Sequence, residues 1–211
     1  MEKAVFKYRG FTLAELLMAV WVTSIILAAV ATLSFALGSA NDSSDNTSDI
    51  YSRIRYTTVR MSELLRSSKL VCANSGSGVA IWRADDSGDN QINPGEIIYF
   101  EAITGNLNLV SFKAAGITAS FVLTLSDISN GQARAWLEAN CQVDSVTLIN
   151  NCSNVSFTVD QSPPFTKQLN IFFTVNQNGI ARNYQISGKL RCFADYLLNS
   201  SGQIDPVDDD N

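Results

Sequence analysis

The longest uncharged segment of the chain constrains its fold most. Residues 16–37 contain no Asp, Glu, Lys or Arg, and as an α-helix they would extend for about 33 Å. The hydrocarbon core of a bilayer is about 30 Å thick, so this segment is long enough to span a membrane. Glu15 stands directly before it, and no basic residue follows until Arg53. Placing a carboxylate at the edge of a membrane span costs free energy, so the presence of Glu15 needs a physical explanation.

The charges before the apolar segment predict its orientation. Lys3, Lys7 and Arg9 stand against a single Glu2, so the basic leader should stay in the cytoplasm by the positive-inside rule. A cleaved secretory signal peptide, cut near residues 38–40, is the alternative. The apolar core of a signal peptide normally runs for only about 7–15 residues, so the sequence favours a retained membrane helix.

Composition disfavours several kinds of function. The chain of 211 residues has no histidine, which removes imidazole bases, His-ligated zinc and His-activated nucleophiles from its own chemistry. It also lacks a G-x-S-x-G elbow, and we expect no enzymatic activity. The net charge of −5 disfavours nucleic-acid binding through a broad basic face.

After the apolar segment, the pattern predicts a helix followed by β structure. Apolar residues recur at three- and four-residue steps from Ile50 to Leu65, which predicts an amphipathic helix from about residue 48 to 70. Residues 39–48 are poor helix formers, although the two helices could be continuous. Asn178-Gly179 is a strong hairpin signal. Strands are predicted at 79–83, 97–102, 107–112, 121–125, 146–149, 155–159, 169–176 and 181–190.

The segment GFTLAELL begins at Gly10, after the basic leader and before the apolar helix. It resembles the N-terminus of type IV prepilins and type II secretion pseudopilins, with Ala14 where that family usually has a bulkier aliphatic residue. The resemblance implies cleavage after Gly10 by a prepilin peptidase and N-methylation of the new terminus at Phe11. Major pilins often carry a proline in the membrane helix, and this segment has none, which points to a minor pilin or pseudopilin.

The resemblance also implies an α+β fold. A long N-terminal helix with a membrane-embedded first half would pack against an antiparallel β-sheet head. The head would lie in the periplasm, and assembly on an inner-membrane platform with other subunits would carry it into a filament or to the cell surface. The expected parts are a basic leader (1–10), a transmembrane or filament-core helix (11–38), an amphipathic helix (39–70), a β-rich head (71–200) and an acidic disordered tail (201–211).

Cleavage after Gly10 would give Glu15 a charged partner. In the uncut chain the nitrogen of Phe11 is an amide, and we expect Glu15 to have no partner there. A carboxylate and an amine about 4 Å apart gain roughly 4 kcal/mol at an effective dielectric constant of 20. This offsets the roughly 3 kcal/mol cost of an ionised side chain inside a membrane helix. The pair could form within one chain, since both groups lie on one helix face; the family resemblance favours the amine of a neighbouring subunit.

Residues 85–96, DDSGDNQINPGE, match the EF-hand calcium loop. Position 6 is Asn90 instead of the usual glycine, and asparagine tolerates a left-handed backbone better than most residues. The flanking residues are β-like, so we expect a structural Ca²⁺ site between strands; an acidic surface turn is the alternative. A membrane-anchored, calcium-dependent binding module that never polymerises is the alternative function. The predicted ligands are Asp85, Ser87, Asp89, Gln91 through its carbonyl, Asn93 and Glu96.

All four cysteines fall in the predicted exterior domain, where disulfides persist. Four cysteines allow three connectivities, and the sequence cannot choose among them. We expect Cys141 to pair with Cys152 and Cys72 to pair with Cys192. Free buried thiols are the alternative.

Overall fold

The computed structural model describes residues 10–177, 179–191, 197–199 and 203–204, without the side chains at 43, 45, 46 and 177. Most of the predicted leader and of the predicted acidic tail lies outside these residues. The chain divides into two compact units, Met1–Asp49 and Ile50–Asn211.

A single helix, α1 (Leu13–Ser67), begins in the first unit and ends in the second. It runs through residues 39–48 without a break, so these poor helix formers do not interrupt it. Its apolar side chains between residues 16 and 37 are exposed, and the helix is long and apolar enough to cross a membrane. The hydroxyl groups of Thr23, Ser24 and Thr32 donate to backbone carbonyls four residues earlier. These polar groups are therefore satisfied within the helix, as a lipid environment requires.

The second unit contains two antiparallel sheets, which confirms the α+β class and shows two sheets in the head. The five-stranded sheet has the order β1-β2-β3-β4-β5, and the three-stranded sheet has the order β6-β7-β8. Two short helices, α2 and α3, precede β5. The bounds are β1 Leu70–Asn74, β2 Gly78–Trp82, β3 Ile97–Ile103, β4 Asn106–Lys113, α2 Leu125–Ser129, α3 Gln132–Asn140, β5 Gln142–Ile149, β6 Cys152–Val159, β7 Gln168–Gln177 and β8 Ile180–Lys189.

The part of α1 in the second unit buries one face against both sheets. Ile54, Met61 and Leu65 belong to a core cluster that also contains apolar residues of both sheets. The hydroxyl of Thr57 donates to the carbonyl of Leu148 at 3.1 Å and is buried. The predicted amphipathic helix is thus confirmed, and its apolar stripe contributes to the main core.

The first four strands of the five-stranded sheet are buried on both faces. Along β2 and β3, successive residues alternate between two core clusters, because neighbouring side chains on a strand point to opposite faces. Ile81 faces the cluster with α1, whereas Trp82 faces a second cluster that includes Ile128 of α2 and Leu137 of α3. Burial on both faces explains why these strands are continuous apolar runs.

Two local predictions were wrong, and two short helices were missed. The predicted strand at 121–125 contains only an isolated bridge between Leu123 and Ile92, and α2 begins at Leu125. Helices α2 and α3 were not predicted, because short apolar runs do not distinguish helix from strand by periodicity. The predicted end of the first helix near residue 70 is instead the start of β1. The hairpin is confirmed, since β7 and β8 pair as far as Gln177 and Ile180.

Candidate functional site

Glu15 has a hydrogen-bond partner in its own chain. Its Oε2 atom accepts from the backbone N–H of Thr12 at 2.9 Å and from the Thr12 hydroxyl at 3.0 Å. In return, Thr12 Oγ1 accepts from the N–H of Glu15 at 3.3 Å. Thr12 is therefore the N-cap of α1, and Glu15 completes a reciprocal capping box. The expectation that Glu15 has no partner in the uncut chain was wrong, although the spacing Thr-x-x-Glu is a recognised signal for this arrangement.

The predicted cleavage site lies just before this cap. Gly10 and Phe11 are exposed and outside the helix. A Cβ atom placed on Gly10 would meet no other atom within 4 Å. Packing among the described residues therefore does not require glycine at residue 10.

The loop 85–96 connects β2 to β3, and its residue 90 has the left-handed backbone that the calcium-loop pattern predicts. Asn90 has a φ angle of 54°, the left-handed conformation expected at position 6. The carbonyl of Ile92 accepts from Leu123 N–H at 2.8 Å, which ties the loop to the segment before α2. The carbonyl of Glu96 accepts from Arg83 N–H at 2.8 Å and closes the base of the loop.

Four of the predicted ligands meet in one hydrogen-bonded group. Ser87 Oγ lies 3.1 Å from Asp85 Oδ1 and 2.9 Å from Asp89 Oδ1. Asn93 Nδ2 donates to Ser87 Oγ at 3.0 Å and to the two Asp89 oxygens at 3.2 and 3.0 Å. The structure thus brings together Asp85, Ser87, Asp89 and Asn93.

Glu96 is buried, and N–H groups hold its carboxylate. It accepts from the backbone N–H of Ser87 at 2.9 Å and of Asn93 at 3.2 Å, and from Trp82 Nε1–H at 3.3 Å. The backbone N–H of Gln91 donates to Asp89 at 2.9 Å. Among the described residues, no three His, Cys, Asp or Glu side chains are placed together to hold a metal ion. In this conformation the three carboxylates of the loop therefore do not converge as a cation would need.

Lys69 is a residue of this site that the sequence motif did not reveal. Its Nζ atom lies 3.3 Å from Asp85 Oδ2 and 5.0 Å from the centre of the Trp82 ring. Burial raises the pKa of Asp85, but hydrogen bonds from Asn90, Ser87, Lys69 and Gly88 outweigh it and lower the pKa overall. Lys69 thus supplies a positive charge to the loop from the chain itself.

One feature of the loop nevertheless fits a hard cation. Asn93 is 4% exposed, and its Oδ1 atom has no hydrogen-bond partner among the described residues. A half-turn of this amide exchanges its oxygen and nitrogen, and would direct Oδ1 towards Ser87 and Asp89. In that orientation the oxygens of Asn93, Ser87 and Asp89 would face one another, and oxygen ligands of this kind suit Ca²⁺.

The predicted disulfide between Cys141 and Cys152 is not formed. Both are free thiols, and the eight-residue strand β5 separates them along the chain. An extended strand of that length covers about 26 Å, whereas a disulfide needs Cα atoms within about 7 Å. Cys72 is also a free thiol, and burial raises its pKa to about 12. Its predicted partner, Cys192, lies outside the described residues.

No protein-family profile matches the sequence, and no match was found among the curated proteins or the solved structures. Function is therefore inferred from the residues and geometry of the chain itself.

Proposed function

We propose that this chain is a minor pilin or pseudopilin, a non-enzymatic structural subunit of a type IV pilus or a type II secretion pseudopilus. The observation that carries the proposal is the order of features at the N-terminus. The segment from Gly10 to Glu15 leads directly into α1, a helix of 55 residues. The second part of that helix packs against antiparallel sheets.

Processing by a prepilin peptidase accounts for Gly10. The site is exposed and non-helical, so a protease can reach it. Since a Cβ atom at residue 10 would meet no described atom within 4 Å, we attribute the glycine to recognition by the peptidase. Cleavage would leave Phe11 as the N-terminus, where it would be methylated.

Glu15 can cap its own helix and also pair with a neighbouring subunit. Both hydrogen bonds from Thr12 go to Oε2, and a carboxylate has acceptor sites on each of its two oxygens. Oε1 can therefore receive the N-terminal amine of another subunit while the cap stays in place. In this role Glu15 sets the register of assembly.

The membrane arrangement follows from the same features. The apolar part of α1 would span the inner membrane, with the basic leader in the cytoplasm and the second unit in the periplasm. Assembly partners would be other pilin or pseudopilin subunits and the inner-membrane platform. Exposed apolar side chains such as Trp21 and Phe35 would lie in lipid before assembly and between helices afterwards.

Ca²⁺ is the proposed cofactor of the loop 85–96, in a structural role. Oxygens of Asp85, Ser87, Asp89 and Asn93 would hold it, joined by the Gln91 carbonyl and by Glu96 once its N–H bonds rearrange. The cation would strengthen the β2–β3 connection. A membrane-anchored, calcium-dependent binding module that does not polymerise could use the same loop, but it would not need cleavage at Gly10.

Mass spectrometry of the mature N-terminus separates these functions. We expect a chain that starts at N-methylated Phe11. An uncut chain starting at Met1, or one cut near Ala40, would reject the pilin proposal and favour the anchored module or a signal peptide.

A further inference from the structure

A cleft of about 520 Å³ opens in the second unit, away from the calcium loop and from α1. It lies on the face of the five-stranded sheet that packs against α2 and α3. Its lining includes Cys72 of β1, Tyr99 and Glu101 of β3, Ile128 of α2 and Arg134 of α3. Ligand pockets in proteins commonly have volumes of about 300–1,000 Å³, so the cleft is large enough for a small molecule or for the end of a larger one.

Two unsatisfied polar atoms belong to residues that line this cleft. Tyr99 is 7% exposed, and its hydroxyl has no hydrogen-bond partner among the described residues. Arg134 Nη1 is also buried without a hydrogen bond. The described residues contain four buried side-chain atoms of this kind, and two of them lie here. Because unpaired buried polar groups destabilise a protein, their concentration at a cleft indicates that a ligand completes them.

Arg134 is held in place by its neighbours. Its Nε and Nη2 atoms donate to the two carboxylate oxygens of Glu101 at 2.7 and 3.2 Å. The guanidinium carbon lies 5.4 Å from the centre of the Tyr99 ring and 5.1 Å from that of Phe112. Nη1 lies 2.8 Å from Glu138 Oε1 but makes no hydrogen bond to it or to any other described atom. The Arg134 guanidinium, with its Nη1 donor, is therefore fixed in position before any ligand binds.

The charges around the cleft select against anions. One guanidinium is matched by two carboxylates, those of Glu101 and Glu138, so the local formal charge is negative. A carboxylate or phosphate would be repelled. Arginine can only donate hydrogen bonds, and the phenol has a donor to offer, so the ligand must present a neutral acceptor oxygen. A carbonyl oxygen has two lone pairs and can accept from both groups. Ala80 and Ile128 add apolar surface nearby, which suits a methyl group.

We propose that this cleft binds an acetamido group, with its carbonyl oxygen accepting hydrogen bonds from Tyr99 Oη and Arg134 Nη1. The group could belong to an acetylated amino sugar or to an acetylated peptide terminus, which offer the same chemistry. This inference does not depend on filament assembly, because every residue in it belongs to the second unit.

Ligand-observed NMR titration of the full-length chain in detergent micelles tests this proposal. The probes are N-acetylglucosamine and N-acetylalanine methylamide, with glucose and acetate as comparators. We expect saturable binding of at least one amide probe and none of either comparator, and the tighter probe identifies the source of the group. Absence of binding by both amide probes, or equal binding of glucose, would overturn the proposal.

Tyr99→Phe removes only the hydroxyl, and it should weaken binding by about tenfold or more. Tyr184→Phe makes the same change in the three-stranded sheet and should leave affinity unchanged. The melting temperature of Tyr99→Phe should not fall, because the lost hydroxyl has no described partner. Unchanged affinity in this variant, or equal losses in both, would count against the proposal.

Glu138→Gln tests the charge argument while leaving both donor residues, Tyr99 and Arg134, in place. It removes one of the two carboxylates beside Arg134, so acetate should begin to bind and compete with the amide probe. If acetate still fails to compete, charge does not select the ligand and the choice of a neutral group is wrong.

Discussion

Leu65 of α1 lies against Gly188 of β8, so closely that a Cβ atom on residue 188 would be 2.3 Å from Leu65 Cδ1 and 3.0 Å from Leu65 Cβ. The helix and the three-stranded sheet thus meet where β8 carries no side chain. Leu65 is fully buried, so it has little room to move away. Small-to-large changes at such contacts force side chains from their preferred positions.

Gly188→Ala should therefore destabilise the second unit by about 1–3 kcal/mol. Chemical denaturation of the full-length chain, followed by tryptophan fluorescence, measures this change. Gly38→Ala is the matched control, because a Cβ at residue 38 meets no atom within 4 Å. The double variant with Leu65→Ala should lose less stability than the two single variants together, since the added methyl then has space. Additive losses would show that the contact is not the cause.

The second prediction separates the two roles of Glu15. Glu15→Gln keeps a side-chain oxygen for the capping box but removes the charge that would pair with a neighbour's amine. We expect Glu15→Gln and Glu15→Ala to be inserted and processed, yet poorly incorporated into filaments. Thr12→Ala should lower helix stability by about 0.5–2 kcal/mol but retain more assembly than either Glu15 variant. Filaments containing normal amounts of Glu15→Gln would refute the intermolecular pair.

The third prediction concerns processing. Gly10→Leu should block cleavage and leave the precursor in the inner membrane. It should not disturb the fold, because residue 10 is exposed and a Cβ atom there would meet no described atom within 4 Å. Ala14→Leu, which restores the residue type usual in the resembled family, should be processed normally. Immunoblotting of membrane fractions distinguishes precursor from product, and processed Gly10→Leu at wild-type levels would argue against the peptidase.

The fourth prediction is that Ca²⁺ stabilises the second unit through the loop 85–96. An affinity of about 10⁻⁴–10⁻³ M would suffice outside the cytoplasm, and a hundredfold excess over the dissociation constant adds about 2.7 kcal/mol. The full-length chain should melt at a higher temperature in Ca²⁺ than in chelator. This difference should vanish in Asp85→Ala and Glu96→Ala but persist in Asp86→Ala, whose residue is not a predicted ligand.

Lys69→Met provides a further control for the same experiment. It removes the internal cation beside Asp85, so the loop should lose stability in chelator and regain more of it when Ca²⁺ is added. A melting temperature that does not respond to Ca²⁺ in either the wild type or this variant would mean that the loop is an acidic turn closed by Lys69.

The fifth prediction concerns acid. Burial raises the pKa of both Asp85 and Asp89, but hydrogen bonds from the loop outweigh it and hold both pKa values below the ordinary 3.8. A carboxylate with a lowered pKa in the folded state contributes stability above its unfolded pKa and loses it as the pH falls through the folded value. In chelator, the melting temperature should therefore drop below about pH 4. Asp85→Asn should flatten this drop, and Asp86→Asn should not; equal acid profiles in the wild type and Asp85→Asn would contradict the assignment.

Much of the secondary structure was predictable from local patterns. Helical periodicity indicated α1, and alternating or continuous apolar runs located seven of the eight strands that the described residues form. The Asn-Gly turn predicted the β7–β8 hairpin, and the loop pattern predicted the left-handed conformation of Asn90. The Thr12–Glu15 cap is equally local, because the spacing Thr-x-x-Glu that forms it lies within four consecutive residues.

What sequence alone determined is whatever depends on neighbours a few residues away: the long apolar helix, the positions of most strands, the turn at 178–179 and the order of oxygen-bearing residues in the loop. Tertiary structure decided which distant groups meet. It divided the strands between two sheets, separated Cys141 from Cys152 by the length of β5, and brought Lys69 to Asp85 and Arg134 to Glu101. These contacts join residues far apart in the chain. They depend on how whole helices and strands pack together, so they cannot be predicted from the residue spacing within a short segment.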